Sequence, residues 1–417
     1  MATPLPPNIL WIVTTQWRAQ ACGYAGDPNA RTPHLDALAA QSLNYRQAVT
    51  PHPFGPFARA ALLTGVASPE NGVRDYFDPL PPGTPTIAHR LRERGYRTAF
   101  FGKWHLAARD RHAPLVGPAH ARMIVPPESR GGFDHWLGFE GGFLLNDPWL
   151  HGTGGGMAEP QQFPGYQSDV LAEQWNQWLT AQDTAVPLFS IVSLEAPHPP
   201  YDAPAGGVPP RDPASLVLPA NVPRGGDIEA RARRELAGYY AHLEATDRAI
   251  GKICARAGGD WIVVFTSAHG DMHGAHGLFR KGWPHEESVR VPLLVRGSLN
   301  LDTPNPAATG LTDDAVSLLD LPAMTLGWAG SEVSSVRREA AAISMPSVVA
   351  LPHQCDRVWR GVRTPTRKLV VNADGSPWLF FDLARDPGEM KNLVDDPAYA
   401  SELKALRESH PLLSYRW

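Results

Sequence analysis

Four apolar runs in this chain each end in residues that could hold an anion or move a proton. NILWIV runs into Thr14-Thr15-Gln16-Trp17-Arg18, and TAFF into Gly102-Lys103-Trp104-His105. LFSIVSL runs into Glu195-Ala196-Pro197-His198, and WIVVFT into Ser267-Ala268-His269-Gly270-Asp271. A fifth segment, Pro53-Phe54-Gly55-Pro56-Phe57-Ala58-Arg59, opens a helical pattern, and Lys281 follows the last run. If these ends converge, one pocket holds Arg59, Lys103, His105, His198, His269 and Lys281. Guanidinium and ammonium groups bind anions through charge-assisted hydrogen bonds, and imidazoles exchange protons near neutral pH. The chemistry to expect is acid/base work on a small anion. The row His269-x-Asp271-x-His273-x-x-His276 also invites a transition-metal reading, since imidazole and carboxylate suit zinc. Such alternation needs a strand-like turn to converge on one ion.

The elements that must position these residues can be read from the pattern. Continuous apolar runs of β-rich residues are the signature of strands buried on both faces. Helical patterns lie between them: Thr32–Ala40, with Thr before Pro at its start, Thr86–Arg94, Val170–Leu179 and Ile228–Cys254. Alternation of this kind implies a parallel α/β sheet covered on both faces. Ligands of such sheets bind outside the carboxyl ends of the strands, which is where the polar residues fall. The segments Ala113–Gly156 and Pro197–Gly226 read as ordered loops walling the site. His34, His89 and His242 lie on helices and read as solvated faces, and Cys22 as packing behind the first strand.

Composition limits the alternatives. With 42 Pro and 38 Gly in 417 residues, long helical bundles are excluded. With 43% hydrophobic residues and a net charge of -4, disorder is excluded. No Lys/Arg-rich block offers a nucleic-acid surface. No apolar stretch approaches the ~20 residues of a membrane span. Three scattered cysteines and an opening segment without a basic region point to a cytoplasmic protein. Oligomerisation with like chains stays open.

The ordered set ARAALLTG, FGKWHL, APHPPY, YYAHLEATDRAIGKI, the HGD segment, KGWPHEESVRVPLLVRG and RTPTRKLVVNADGSPWLFFDLARDPGEMKNL resembles the sulfatases. With them go the related phosphonate and phosphate monoester hydrolases of the alkaline phosphatase superfamily. The resemblance spans nearly the whole chain. It implies a large, mainly parallel sheet flanked by helices over residues 1–310, with a small C-terminal α+β subdomain over 311–417. It also implies that Arg59, Lys103, His105, His198 and Lys281 hold a sulfate or phosphate group and handle protons.

Departures from the family pattern fall on the reacting groups. Family members open with Asp or Asp-Asp after the first strand to bind a divalent metal; Thr14-Thr15 stands here. Their nucleophile, a Cys matured to formylglycine or a Ser, stands four residues before the motif arginine; Gly55 stands here. Their second metal pair begins with Asp; Ala268-His269 stands here. The expectation is therefore an enzyme that is not formylglycine-dependent and uses no metal or other cofactor. His105, His198, His269 and Lys103 would be catalytic, with Arg59, Lys281, Thr15 and Gly55 forming the substrate site. Hydrolysis and lyase-type chemistry, elimination or decarboxylation, are both open. The competing expectations are a non-catalytic relative that binds an anion or partner, and a hydrolase with a rebuilt metal site.

Overall fold

The computed structural model of the chain describes residues 6–154, 156–183, 185–259, 261–297, 309–331 and 338–413. Twelve strands lie in its first three-quarters: β1 (Asn8–Thr14), β2 (Leu43–Tyr45), β3 (Ala48–Val49), β4 (Arg97–Lys103), β5 (His135–Phe139), β6 (Trp149–Gly152), β7 (Gln161–Gln162), β8 (Leu188–Ser193), β9 (Trp261–Ser267), β10 (Leu293–Arg296), β11 (Gly310–Thr312) and β12 (Val316–Ser317). Ten of them form one sheet in the order β11-β2-β10-β9-β1-β8-β4-β5-β6-β7, and β12 pairs with β3. The central strands β9, β1, β8, β4 and β5 run parallel, as the apolar runs imply.

Register is what builds the site. Val13 is level with Thr266 on one side and Ser193 on the other, and Ser193 is level with Gly102. The residues after these strands therefore emerge along one edge. Alternation fixes the sheet's faces: Ile9, Trp11 and Val13 of β1 join the core on one side, Leu10 and Ile12 that on the other. The helix Gly55–Thr64, buried along its whole length, packs on the first face. The helices Gln167–Thr180 and Asp227–Ala257 cover the second, through Leu171, Trp175, Leu236 and Leu243. His242, expected on a solvated face, is buried, and its Nδ1 lies 3.0 Å from the Tyr166 hydroxyl. The loop carrying Tyr166 covers a side of that helix which sequence spacing left open.

A second, antiparallel sheet follows: β13 (Ala341–Met345), β14 (Trp359–Arg363), β15 (Arg367–Asn372) and β16 (Pro377–Asp382), with the helix Ala400–Ser409 after it. Buried charges tie it to the large layer. Lys368 on β15 reaches Glu286 at 2.9 Å and Glu389 at 2.6 Å, and Arg363 on β14 reaches Glu286 at 2.9 Å. The expected division at 310/311 falls within β11, a strand of the large sheet. Among the described residues no helix is long and apolar enough to cross a membrane.

Candidate functional site

The strand ends meet over a cavity of about 760 Å³. Seven of the eight residues expected there line it: Thr15, Gly55, Lys103, His105, His198, His269 and Lys281. Arg59 sits behind the cavity wall instead. Its guanidinium donates to Ser193 Oγ and to Thr15 Oγ1, both at 2.7 Å, and to the Lys103 carbonyl at 3.4 Å. It straps the ends of β1, β4 and β8 together. Burial lowers its pKa to about 10, so it stays charged at neutral pH.

The two lysines point inward. Lys103, at the end of β4, is 1% exposed and lies 2.5 Å from Glu195 Oε1. Burial lowers its pKa to about 8, the Glu195 carboxylate opposing that fall. Lys281 donates to Gln16 Oε1 and to His198 Nε2, the latter at 3.1 Å. Burial first, and the Lys103 charge next, lower its pKa to about 7. Both ammonium groups therefore gain from a bound anion, which restores the counter-charge that burial removed.

Hydrogen-bond partners set the proton on each imidazole. A guanidinium only donates, so the 2.7 Å contact from Arg109 Nη1 makes His105 Nε2 an acceptor and leaves the proton on Nδ1. That Nδ1–H has no hydrogen-bond partner among the described residues. His198 Nδ1 donates to the Pro199 carbonyl at 2.7 Å, and the ring stacks on Phe143 with centroids 4.4 Å apart. His269 Nδ1 donates to the Gly270 carbonyl at 2.9 Å, which leaves the lone pair on Nε2. That nitrogen is buried and has no hydrogen-bond partner among the described residues. Burial, reinforced by the surrounding cations, holds all three well below the usual histidine range. They are neutral at physiological pH.

Gly55 opens the helix Gly55–Thr64 directly against His105. A Cβ at this position would lie 2.8 Å from His105 Nδ1 and 3.0 Å from Cε1. The ring is pinned by Arg109, which lies over Tyr76, 4.4 Å from its centroid. Glu140 steadies Arg109 from 3.4 Å, and burial raises its pKa to about 7. The imidazole therefore stands where a side chain at position 55 would reach.

The profile of the sulfatase family matches residues 7–331. The chain belongs to the sulfatase family. An ulvan-active sulfatase of Formosa agariphila is 35% identical over 95% of this chain and 78% of its own length. The solved phosphonate monoester hydrolase of Agrobacterium radiobacter superposes with a TM-score of 0.72 at 22% identity, covering 98% of this chain and 95% of its own. A structure solved with its substrate D-glucosamine-2-N,6-O-disulfate gives a TM-score of 0.78 at 21% identity, covering 98% and 97%. These two likenesses show the fold.

Family resemblance implies a divalent metal, and the donors of this sulfatase-family site do not fit one. Thr14 Oγ1 donates to the Thr266 carbonyl at 3.2 Å, and Thr15 Oγ1 donates to the Leu194 carbonyl at 3.0 Å while accepting from Arg59. Ala268 offers no side-chain donor. Asp271 turns to Gln16, to the Tyr201 hydroxyl at 2.7 Å and to Arg280. Calcium and magnesium need several oxygen ligands, and here the Lys281 ammonium sits on Gln16 Oε1. The histidine row is likewise dispersed: His273 packs 4.3 Å from Tyr239, and His276 leaves the cavity altogether.

Sequence reading did not single out Gln16, Arg109 or Glu195. Glu195 directly follows an apolar strand, the same signal that marked Lys103. Arg109 carried no such signal, because it reaches His105 through a loop whose path the sequence does not reveal. Cys22 is buried, and burial pushes its thiol up to about 12, which matches the packing role expected of it.

Proposed function

We propose that the chain is an enzyme that hydrolyses a small anionic ester, sulfate or phosphonate, by histidine acid/base chemistry without a metal. The observation that carries this reading is the His269 Nε2 lone pair, buried and unpartnered in a wall that also holds two ammonium groups. The anionic head lies between Lys103 and Lys281. His269 Nε2 takes a proton from water as its oxygen bonds to sulfur or phosphorus. The bond to the leaving oxygen breaks, and that oxygen takes a proton from the Lys281 ammonium. His105 Nδ1–H donates to a non-bridging oxygen where charge develops. The sulfatase and phosphonate monoester hydrolase names of the relatives favour hydrolysis over elimination or decarboxylation. Three free cysteines suit a reducing compartment, and we place the reaction in the cytoplasm.

The test is turnover of a panel of sulfate and phosphonate monoesters by the purified chain, before and after chelation. His269→Ala and Lys103→Ala are expected to lower kcat about 10²–10⁴-fold. Chelation is expected to leave the rate unchanged. Wild-type rates in both variants, or a rate lost on chelation and restored by calcium or magnesium, would overturn the reading.

Binding without turnover is the second reading. One observation favours it: His105 stands against Gly55, the position of the family nucleophile. It predicts no turnover of any panel member together with thermal stabilisation by sulfate, because a ligand that binds only the native state raises its stability.

A further inference from the structure

His276, the last histidine of the row after β9, lies outside the cavity and beside two carboxylates. One ligand atom each from His276, Glu287 and Glu389 lies within 4.8 Å of the others. They come from three separate places: the turn Ala275–Gly277, the short helix Glu286–Val289, and the loop after β16. We propose that these three residues bind a divalent transition metal, zinc by donor type, and clamp the C-terminal sheet to the large layer.

Charge matching carries the argument. Glu286 is met by Arg363 and Lys368, and Lys368 also holds Glu389 at 2.6 Å. Glu287 has no such cation among the described residues. It is 5% exposed; its Oε1 accepts from the neutral Asn221 amide at 2.7 Å, and its Oε2 has no hydrogen-bond partner among the described residues. The buried Arg18 guanidinium acts on Glu287 only through space, so the carboxylate lacks a direct ion-pair partner, and a dication bound to it supplies one. Imidazole with two carboxylates is a zinc donor set.

Geometry agrees. Zinc–ligand bonds of about 2.0–2.2 Å place ligand atoms roughly 3–4 Å apart, close to the spacing, within 4.8 Å, that the three side chains already have. Asn221 Nδ2 lies 3.2 Å from His276 Nε2 and donates to Glu287 Oε1 at 2.7 Å and to the Gly388 carbonyl at 3.1 Å, while its own Oδ1 is buried without a hydrogen-bond partner among the described residues. Turning this amide offers Oδ1 as a fourth ligand. The His285 ring stacks on His276 with centroids 4.6 Å apart and shields the cluster on another side.

The test titrates zinc chloride alone into the chelator-treated chain of 417 residues, by calorimetry and thermal unfolding. One zinc per chain and a raised Tm are expected. His276→Ala and Glu287→Gln should each weaken affinity about tenfold or more, while Lys103→Ala, in the cavity, should keep it. Absence of saturable binding, or wild-type affinity in both variants, would overturn the proposal.

Discussion

At the scale of residues, the chemistry turns on which nitrogen of each imidazole bears the proton. Arg109 forces the proton of His105 onto Nδ1, facing Gly55, and the Gly270 carbonyl forces that of His269 away from the cavity. One ring is thus a donor and the other an acceptor. Gly55 is part of this arrangement, because a Cβ there meets the His105 ring at 2.8 Å. Gly55→Ser should therefore cost about 1–3 kcal/mol of stability through overpacking, without restoring family chemistry. The pair Gly55→Ser/His105→Ala should recover part of that cost. Denaturant unfolding of the single and double variants measures the coupling; strictly additive effects would remove the steric account.

At the scale of elements, the site depends on parallel strands ending level with one another. Arg59 fastens three of these ends through Thr15, Ser193 and the Lys103 carbonyl. Hydrogen bonds to a charged group are worth about 1.5–3 kcal/mol each. Arg59→Met should therefore lower the denaturation midpoint markedly, while direct contact with substrate would instead show as weakened anion affinity at unchanged stability. Unfolding and sulfate titration of the same variant separate the two. The strands were readable because β1, β8 and β9 are buried on both faces and so are predominantly apolar. The direction of the Arg59 side chain was not, since its partners lie far along the chain: Thr15 just after β1, Ser193 at the end of β8 and the Lys103 carbonyl at the end of β4.

At the scale of the whole molecule, a chain of net charge -4 lines its cavity with Lys103, Lys281, Arg231, Arg234 and Arg280 against Asp202 and Glu235. The positive field over the cavity is thus local and opposes the overall charge, as the proposed anionic substrate requires. It is also pH-dependent. With Lys281 lowered to about 7 and Lys103 to about 8, both ammonium groups are lost as pH rises through these values. Anion binding requires them protonated, so it weakens in the same direction. Stabilisation by sulfate should be larger near about pH 6 than near about pH 9. Thermal shifts at fixed sulfate across that window provide the check; a flat profile would show that neither lysine contacts the anion.

The sequence by itself determined the α/β architecture and the set of polar residues at the sheet's carboxyl edge. Both are local consequences: a strand buried on two faces must be apolar, and a residue just beyond it must emerge at the edge. It also showed that Gly55, Thr14-Thr15 and Ala268 stand where the family carries its nucleophile and metal-binding carboxylates, since side-chain identity needs no fold to be read. Tertiary structure alone decided that Arg59 is a strap, that His105 occupies the space beside Gly55, and that His276 leaves its row for Glu287 and Glu389. Each of these is settled by partners more than ten residues away or on another loop, where direction and distance come from packing and not from spacing along the chain.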